Sequence, residues 1–463
     1  MRKPREHQAK AIEAILSSRE DGRIVIPTGG GKTMIEAHTL RDSINSTKGS
    51  KIYLVLAPRI QLANQLIREY RRDIGQSYIA VAFHSGRTEP DYDNMKWSEI
   101  STTDIDQIKE QHERAKRMGK HLVIFSTYHS SCKLDQLKFE LVIADESQYC
   151  VSENFYNSVH ALSSVRKLYF TATEKHTPTE DGRGLNNSKM FGDVIYQVAP
   201  KTLIRKNIIV APRLHVMSAS ADKETTTVLD EIKHLAQHQM KLAARMPVTK
   251  VLFASNSTKD VKIVIENVKE LKKEFPEYKI FTIVSNSKFG AMIDGVQMPR
   301  GDWMSELRAT DHALIFHYDI LSEGIDVDGI TGVAIMRNMH HAKLLQTIGR
   351  AVRIYKANPE LKKWAWVSVV LINGNDETAD NLARTVRAIR EGGYEVNTEE
   401  VEFTDDTPRG IADEDAGPEN VIPLDRKAEA KSILKKILHD VETEKDMERL
   451  ANLSIEDQMK EVA

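Results

Sequence analysis

The sequence predicts an α/β chain: two parallel-sheet domains in tandem, then a short, mostly helical C-terminal extension. Short continuous apolar runs recur and alternate with segments of helical spacing. That is the pattern of strands covered on both faces by crossover helices. The alternation restarts after Pro200, which implies a second domain of the same kind. The 463 residues, 41% hydrophobic and 29% charged, suffice for two or three ordinary domains with true cores.

The first domain is expected over residues 1–199. Arg5 to Ser17 has helical spacing through Ala11, Ile12, Ile15 and Leu16. Arg23–Ile26 reads as a short buried strand, and Thr33 to Ile44 as a helix. Lys51–Ala57 is a continuous apolar strand stopped by Pro58, and Gln61 to Arg71 is helical through Leu62, Leu66, Ile67 and Tyr70. Tyr78–Phe83 is the next strand. Asp104 to Met118 reads as a polar helix stopped by Gly119. His121–Phe125, Glu140–Ala144 and Lys167–Phe170 supply three more strands, and the polar stretch Glu174–Lys189 reads as a loop.

The second domain is expected over residues 200–395, with strands at Val248–Ala254, Lys279–Val284, Ala313–His317, Gly332–Met336 and Val367–Ile372. Residues 396–463 form the extension. An acidic stretch from Glu399 to Asp415 reads as a solvated linker. Asp425 to Asp440 follows as an amphipathic helix, with Ile433, Leu434, Ile437, Leu438 and Val441 on one stripe. That helix either packs on the second domain or recruits a protein partner.

No apolar run is long enough to span a bilayer, and the basic N-terminus lacks the apolar stretch of a secretory signal. Two cysteines, Cys132 and Cys150, exclude a disulfide framework or a cysteine-rich metal site. A reducing, cytoplasmic setting, no membrane and a monomer are the expectations. The formal net charge of −2 neither requires nor excludes a polyanionic partner.

The strongest chemical signal is Pro27-Thr28-Gly29-Gly30-Gly31-Lys32-Thr33, set between a strand and a helix. Such a turn wraps backbone N–H groups around a phosphate at a helix N-terminus. Lys32 adds charge for the outer phosphates, and the Thr33 hydroxyl suits Mg²⁺. A nucleoside triphosphate is therefore expected, with ATP and Mg²⁺ as the pair. Next comes Asp145-Glu146-Ser147-Gln148, directly after a strand. Asp145 suits the metal, and Glu146 can orient and deprotonate a water. In isolation, the alternative is two acids capping a helix that starts near Ser147; beside the glycine-rich loop it loses weight.

With these two motifs in place the chain resembles the superfamily 2 helicases and translocases of the DEAD/DEAH type. The resemblance implies two RecA-like domains. Pro4–Gln8 looks like the adenine-reading motif, with Gln8 facing the base. Ala57–Leu62, containing Arg59, and Phe125–Tyr128, containing Thr127, resemble the motifs that touch the nucleic-acid backbone. Thr171-Ala172-Thr173 matches the motif that couples nucleotide state to domain closure. In the second domain Val251–Ser255 resembles motif IV, which places Ser255 among the nucleic-acid contacts. Leu321–Val327 matches motif V, which places Gly324 and Asp326 at the nucleotide. Gln346–Arg353 fits the Gln-x-x-Gly-Arg-x-x-Arg pattern of motif VI.

Arg350 and Arg353 lie three apart, so on a helix they would share a face and clamp a developing phosphate charge. Gln346 would hold the attacking water. The set Lys32, Asp145, Glu146, Gln346, Arg350 and Arg353 is thus the expected hydrolytic machinery, completed when the two domains close on the nucleotide.

Departures from the DEAD-box pattern narrow the type. Asp145-Glu146-Ser147-Gln148, Thr171-Ala172-Thr173 and a glutamine-led motif VI look more like phage branch-migration helicases and restriction subunits. DNA is therefore the expected partner, ahead of RNA. The expected function is an ATP-dependent DNA helicase or translocase. Alternatives are an RNA helicase, a double-strand DNA translocase without strand separation, and a nucleotide-gated binding subunit. His340-His341, His121 and His129 lack metal-site spacing. Trp364 and Trp366 read as packing, and Lys362-Lys363 as solvated. Arg87 and Lys343 read as phosphate contacts, on the weak signal of a lone basic residue.

Overall fold

The computed structural model describes residues 2–75, 77–86, 100–177, 182–219, 228–244, 246–255, 257–284, 290–318, 327–336, 341–372, 375–405 and 426–451. The chain divides into two compact units, Met1–Ala199 and Pro200–Ala463.

The strands of the first unit are β1 (Gly22–Val25), β2 (Ile52–Ala57), β3 (Tyr78–Phe83), β4 (Ser101–Thr102), β5 (His121–Thr127), β6 (Lys138–Phe139), β7 (Leu141–Ala144), β8 (Ser163–Ser164), β9 (Lys167–Thr171) and β10 (Asp193–Gln197). Eight form one sheet in the order β10-β1-β9-β7-β2-β5-β3-β4, and β6 pairs with β8. All pairings in the large sheet are parallel. Helix α1 (Glu6–Ser17) precedes the first strand; parallel neighbours require crossovers, and these carry α2 (Lys32–Ser46), α3 (Ile60–Ile74), α4 (Ile105–Arg117), α5 (Glu153–Ala161) and α6 (Ser188–Phe191). Every residue of β2 and β5 is buried, as strands sandwiched between helices must be. The Asp104 side chain caps α4 by accepting from the Asp106 N–H.

The second unit runs α7 (Pro200–Arg205), β11 (Ala211–Ala219), α8 (Val228–Leu242), β12 (Thr249–Ala254), α9 (Thr258–Glu266), α10 (Val268–Glu274), β13 (Lys279–Ile283), β14 (Ala291–Ile293), β15 (Val296–Met298), α11 (Arg300–Ala309), β16 (His312–His317), β17 (Ile330–Ile335), α12 (His341–Ala351), β18 (Trp364–Ile372), α13 (Asp376–Glu391), β19 (Glu402–Asp405) and α14 (Arg426–Ala451). Nine strands form one sheet, ordered β15-β14-β13-β16-β12-β17-β18-β11-β19. It is parallel except for the β13-β14-β15 meander.

Two expectations need correction. Strand β19 lies inside the acidic stretch read as a linker, paired in parallel with β11. Lys362, read as solvated, is 4% exposed; Lys363 is exposed. The apolar stripe of α14 is covered by its own unit, with Ala430, Leu434 and Leu438 buried in the same core as Val401 and Phe403. Trp364 packs under the Arg213 guanidinium, 3.4 Å from the ring centroid.

Candidate active site

In the first unit the expected residues gather at the C-terminal ends of adjacent parallel strands, where open α/β sheets place their ligands. The glycine-rich loop leaves β1 and opens α2. Gly29 and Gly31 both have φ of 84°, a left-handed conformation that only glycine adopts without strain. Gly31 caps α2, so Lys32 and Thr33 occupy its first turn. The Gly30 N–H closes the turn on the Pro27 carbonyl at 2.9 Å, and Thr28 is half-buried beside it.

This loop is braced from α1. The Gln8 amide Nε2 lies 3.3 Å from the carbonyls of both Gly30 and Gly31, and its Oε1 accepts the Arg5 N–H at 2.8 Å. His7 Nε2 sits 2.8 Å from the Gly30 carbonyl, which can only accept, so Nε2 carries the proton. Gln8, expected to face a base, is thus engaged with the loop itself.

Asp145 and Glu146 follow β7, the strand between β9 and β2. Glu146 has φ 52° and ψ 52°, a left-handed backbone that a side chain rarely adopts. Its carboxylate accepts from Lys32 Nζ at 3.1 Å and from Gln148 Nε2 at 3.0 Å. Gln148 Oε1 in turn lies 2.8 Å from Thr171 Oγ1. The Thr173 N–H donates to that same hydroxyl at 3.1 Å. The loop after β1, the turn after β7 and the end of β9 are therefore joined side chain to side chain.

Behind Asp145 stands Glu36, one turn beyond Lys32 on α2 and fully buried. Tyr70 of α3 donates its hydroxyl to Glu36 at 3.1 Å, while Tyr128 donates to the Asp145 carbonyl at 2.7 Å. Burial, then the charge of Glu146, pushes the Asp145 carboxyl up to about 7, against the pull of Lys32. Burial and the Asp145 charge hold Glu36 well above the usual carboxylate range. Burial lowers the Lys32 ammonium, but Glu146 and Asp145 outweigh it and leave it raised. The sequence reading missed Glu36, Tyr70 and Tyr128; a charged residue on the buried stripe of α2 was the available signal.

Arg59 is exposed at the start of α3, and Thr127 ends β5 opposite Ala57 of β2. Thr127 is 5% exposed, and its hydroxyl donates to Ser130 Oγ at 3.1 Å.

In the second unit Ser255 follows β12 and is buried. Gln346 and Arg350 lie one turn apart on α12. The helix ends at Ala351, so Arg353 does not share its face as the three-residue spacing predicted. It sits instead in a short antiparallel bridge with Ile209, reinforced by the Val210 N–H to the Val352 carbonyl at 2.8 Å. Gly324 and Asp326 lie outside the described residues, as do Arg87, His340 and the Lys343 side chain.

Residues 1–176 match the family model of the type III restriction enzyme res subunit. A curated relative from Schizosaccharomyces pombe, irc3, carries a name that marks it as a mitochondrial ATP-dependent helicase. It is 22% identical over 370 residues, covering 76% of this chain and 55% of its own. The chain thus spans about half the length of that relative. Among solved structures, the type ISP restriction-modification enzyme LlaBIII bound to DNA aligns with a TM-score of 0.70 at 15% identity. The alignment covers 94% of this chain and 33% of LlaBIII. The DEAD-box helicase Mss116 bound to single-stranded RNA aligns at 0.56 and 15% identity, covering 96% and 81%. These likenesses establish tandem RecA-like domains. No described helix is long and apolar enough to cross a membrane.

Proposed function

We propose that this chain is an ATP-dependent helicase or translocase that acts on DNA. The observation that carries the reading is the run of side-chain bonds from Lys32 through Glu146 and Gln148 to Thr171. A loop that only held phosphate would not need that connection to Thr171.

In this reading the N–H groups from Gly29 to Thr33 cradle the phosphates of ATP, with Pro27 and Thr28 shaping the approach. Lys32 neutralises the outer phosphates. Glu146 orients the attacking water and takes its proton, aided by Gln346. Arg350 and Arg353 stabilise the charge that develops on the γ-phosphoryl group. Gln8 acts by fixing the loop and the adenine end, and Gly324 and Asp326 contact the nucleotide. Thr171 and Thr173 pass the nucleotide state onward, while Arg59, Thr127 and Ser255 grip the nucleic-acid backbone.

The donor set fits Mg²⁺. Glu36, Asp145 and Glu146 gather three carboxyl groups beside one ammonium, Lys32, and hard oxygen donors suit a hard divalent cation. Thr33 and Asp145 would hold the ion, which when bound neutralises charge on the phosphoryl oxygens. DNA is favoured over RNA by the glutamine-led motif VI and by the restriction-subunit family of the first domain.

The test is an ATPase and unwinding panel over single-stranded DNA, RNA, forks and four-way junctions. DNA-stimulated phosphate release that Lys32→Ala abolishes is expected. Stimulation by RNA but not DNA would overturn the substrate, and full activity in Lys32→Ala would overturn the mechanism.

A further inference from the structure

Lys362 lies between the turn Pro359–Leu361 and β18, almost wholly removed from solvent. Its ammonium donates to the backbone carbonyls of Ile330 (2.6 Å), Arg353 (2.5 Å) and Ala351. An ammonium has three N–H donors, and three carbonyls take all of them, two from the end of α12 and the turn after it and one from the start of β17. One belongs to the last residue of α12, where helix carbonyls lack intrahelical donors and carry partial negative charge.

The same segment is held elsewhere. The Arg353 backbone is bridged to Ile209 on its other side. The loop beyond it is pinned where the Lys356 N–H lies 3.2 Å from each carboxylate oxygen of Asp328. Burial pulls the ammonium down to about 7; the Asp328 charge opposes that, and Arg353 adds to it. Burying a charge without a direct anionic partner costs stability that an apolar residue would not. Retaining it here buries a device for shape.

We propose that Lys362 is a positioning residue for Arg353: it ends α12 at Ala351 and locks the next turn, which aims the arginine independently of the helix face. This rests on the reading of Arg353 as the residue that stabilises phosphoryl charge.

The test uses the full chain with Lys362→Met, Lys362→Arg, Arg353→Ala and the Met/Ala double variant. Lys362→Met is expected to lower DNA-stimulated kcat by about 10-fold or more, as misplacement of a catalytic group does. The KM for ATP should hold within about twofold, since ground-state binding is untouched. Lys362→Arg should recover part of kcat, and the double variant should be no slower than Arg353→Ala alone. Hydrogen exchange over residues 348–356 should quicken in Lys362→Met while residues 27–37 are unchanged. Wild-type kcat in Lys362→Met, multiplying losses in the double variant, or unchanged exchange over 348–356 would each overturn the proposal. If the unmodified chain hydrolyses no ATP, the proposed function fails, and the exchange measurement still decides whether Lys362 holds this turn. If Lys362→Met does not fold, the same two readouts on Lys362→Arg decide it.

Discussion

Glu146 Oε1 lies 3.1 Å from Lys32 Nζ, so the residue proposed to activate water is paired with the residue proposed to hold phosphate. A triphosphate must compete with Glu146 for that ammonium. Replacing the carboxylate by an amide removes both the competition and the base. Glu146→Gln is therefore expected to lose about 100-fold or more in turnover while ATP binding holds or tightens. Lys32→Ala should lose both. Phosphate release and binding of a fluorescent ATP analogue check this, and turnover in Glu146→Gln close to the parent chain would sink it.

Gln148 is bonded at both ends, to Glu146 through its Nε2 and to Thr171 through its Oε1. Its loss should leave phosphate chemistry in place and cut the route to Thr171 and Thr173. Gln148→Ala and Thr171→Val are each expected to keep basal ATPase within about threefold and to lose most stimulation by DNA. Because both act through one bond, the double variant should be no worse than either single change. Independent, additive losses would show that the two residues do not work as a unit.

The legible parts of this molecule were those whose cause is local. Strands β2 and β5 are apolar on both faces, and the loop from Pro27 to Thr33 announces itself by its glycines. Edge elements were harder: β10 has Val194 37% exposed, and β19 is acidic, so neither carries the apolar run of a central strand. Lys362 and Glu36 were illegible for a different reason. Each is a charged residue whose burial is explained by partners outside its own element, Ile330 and Arg353 for one, Tyr70 and Asp145 for the other. The end of α12 at Ala351 was missed with Lys362, because the residue that captures its last carbonyl comes from beyond the loop.

Glu36 makes stability depend on pH with a definite sign. Burial and the Asp145 charge hold its carboxyl well above the usual carboxylate range in the folded chain, so the native state binds more protons than the unfolded one as pH rises through that range. Stability then falls with rising pH from about 4.5 up to the folded value. Glu36→Gln removes this penalty and keeps an acceptor for the Tyr70 hydroxyl. Thermal unfolding should show the variant gaining about 2–4 °C over the parent at pH 8, the shift of about 1 kcal/mol in a domain of this size. At pH 4 the gain should vanish. A gain that is equal at both values would mean that the Glu36 charge is not the cause.

Gly31 bears two independent constraints, and they can be separated. Its φ of 84° disfavours any side chain, and a Cβ there would stand 2.3 Å from Gln8 Nε2. Gly31→Ala therefore strains the backbone by about 1 kcal/mol and also drives Gln8 off the carbonyls of Gly30 and Gly31. ATP affinity is expected to fall about 10-fold or more, since the loop N–H groups lose their fixed aim. Adding Gln8→Ala relieves the clash but not the φ, and it removes the brace as well. The double variant should thus recover thermal stability relative to Gly31→Ala without recovering nucleotide binding. Recovery of both would show that Gln8 does not hold the loop, and that the His7 contact to Gly30 suffices.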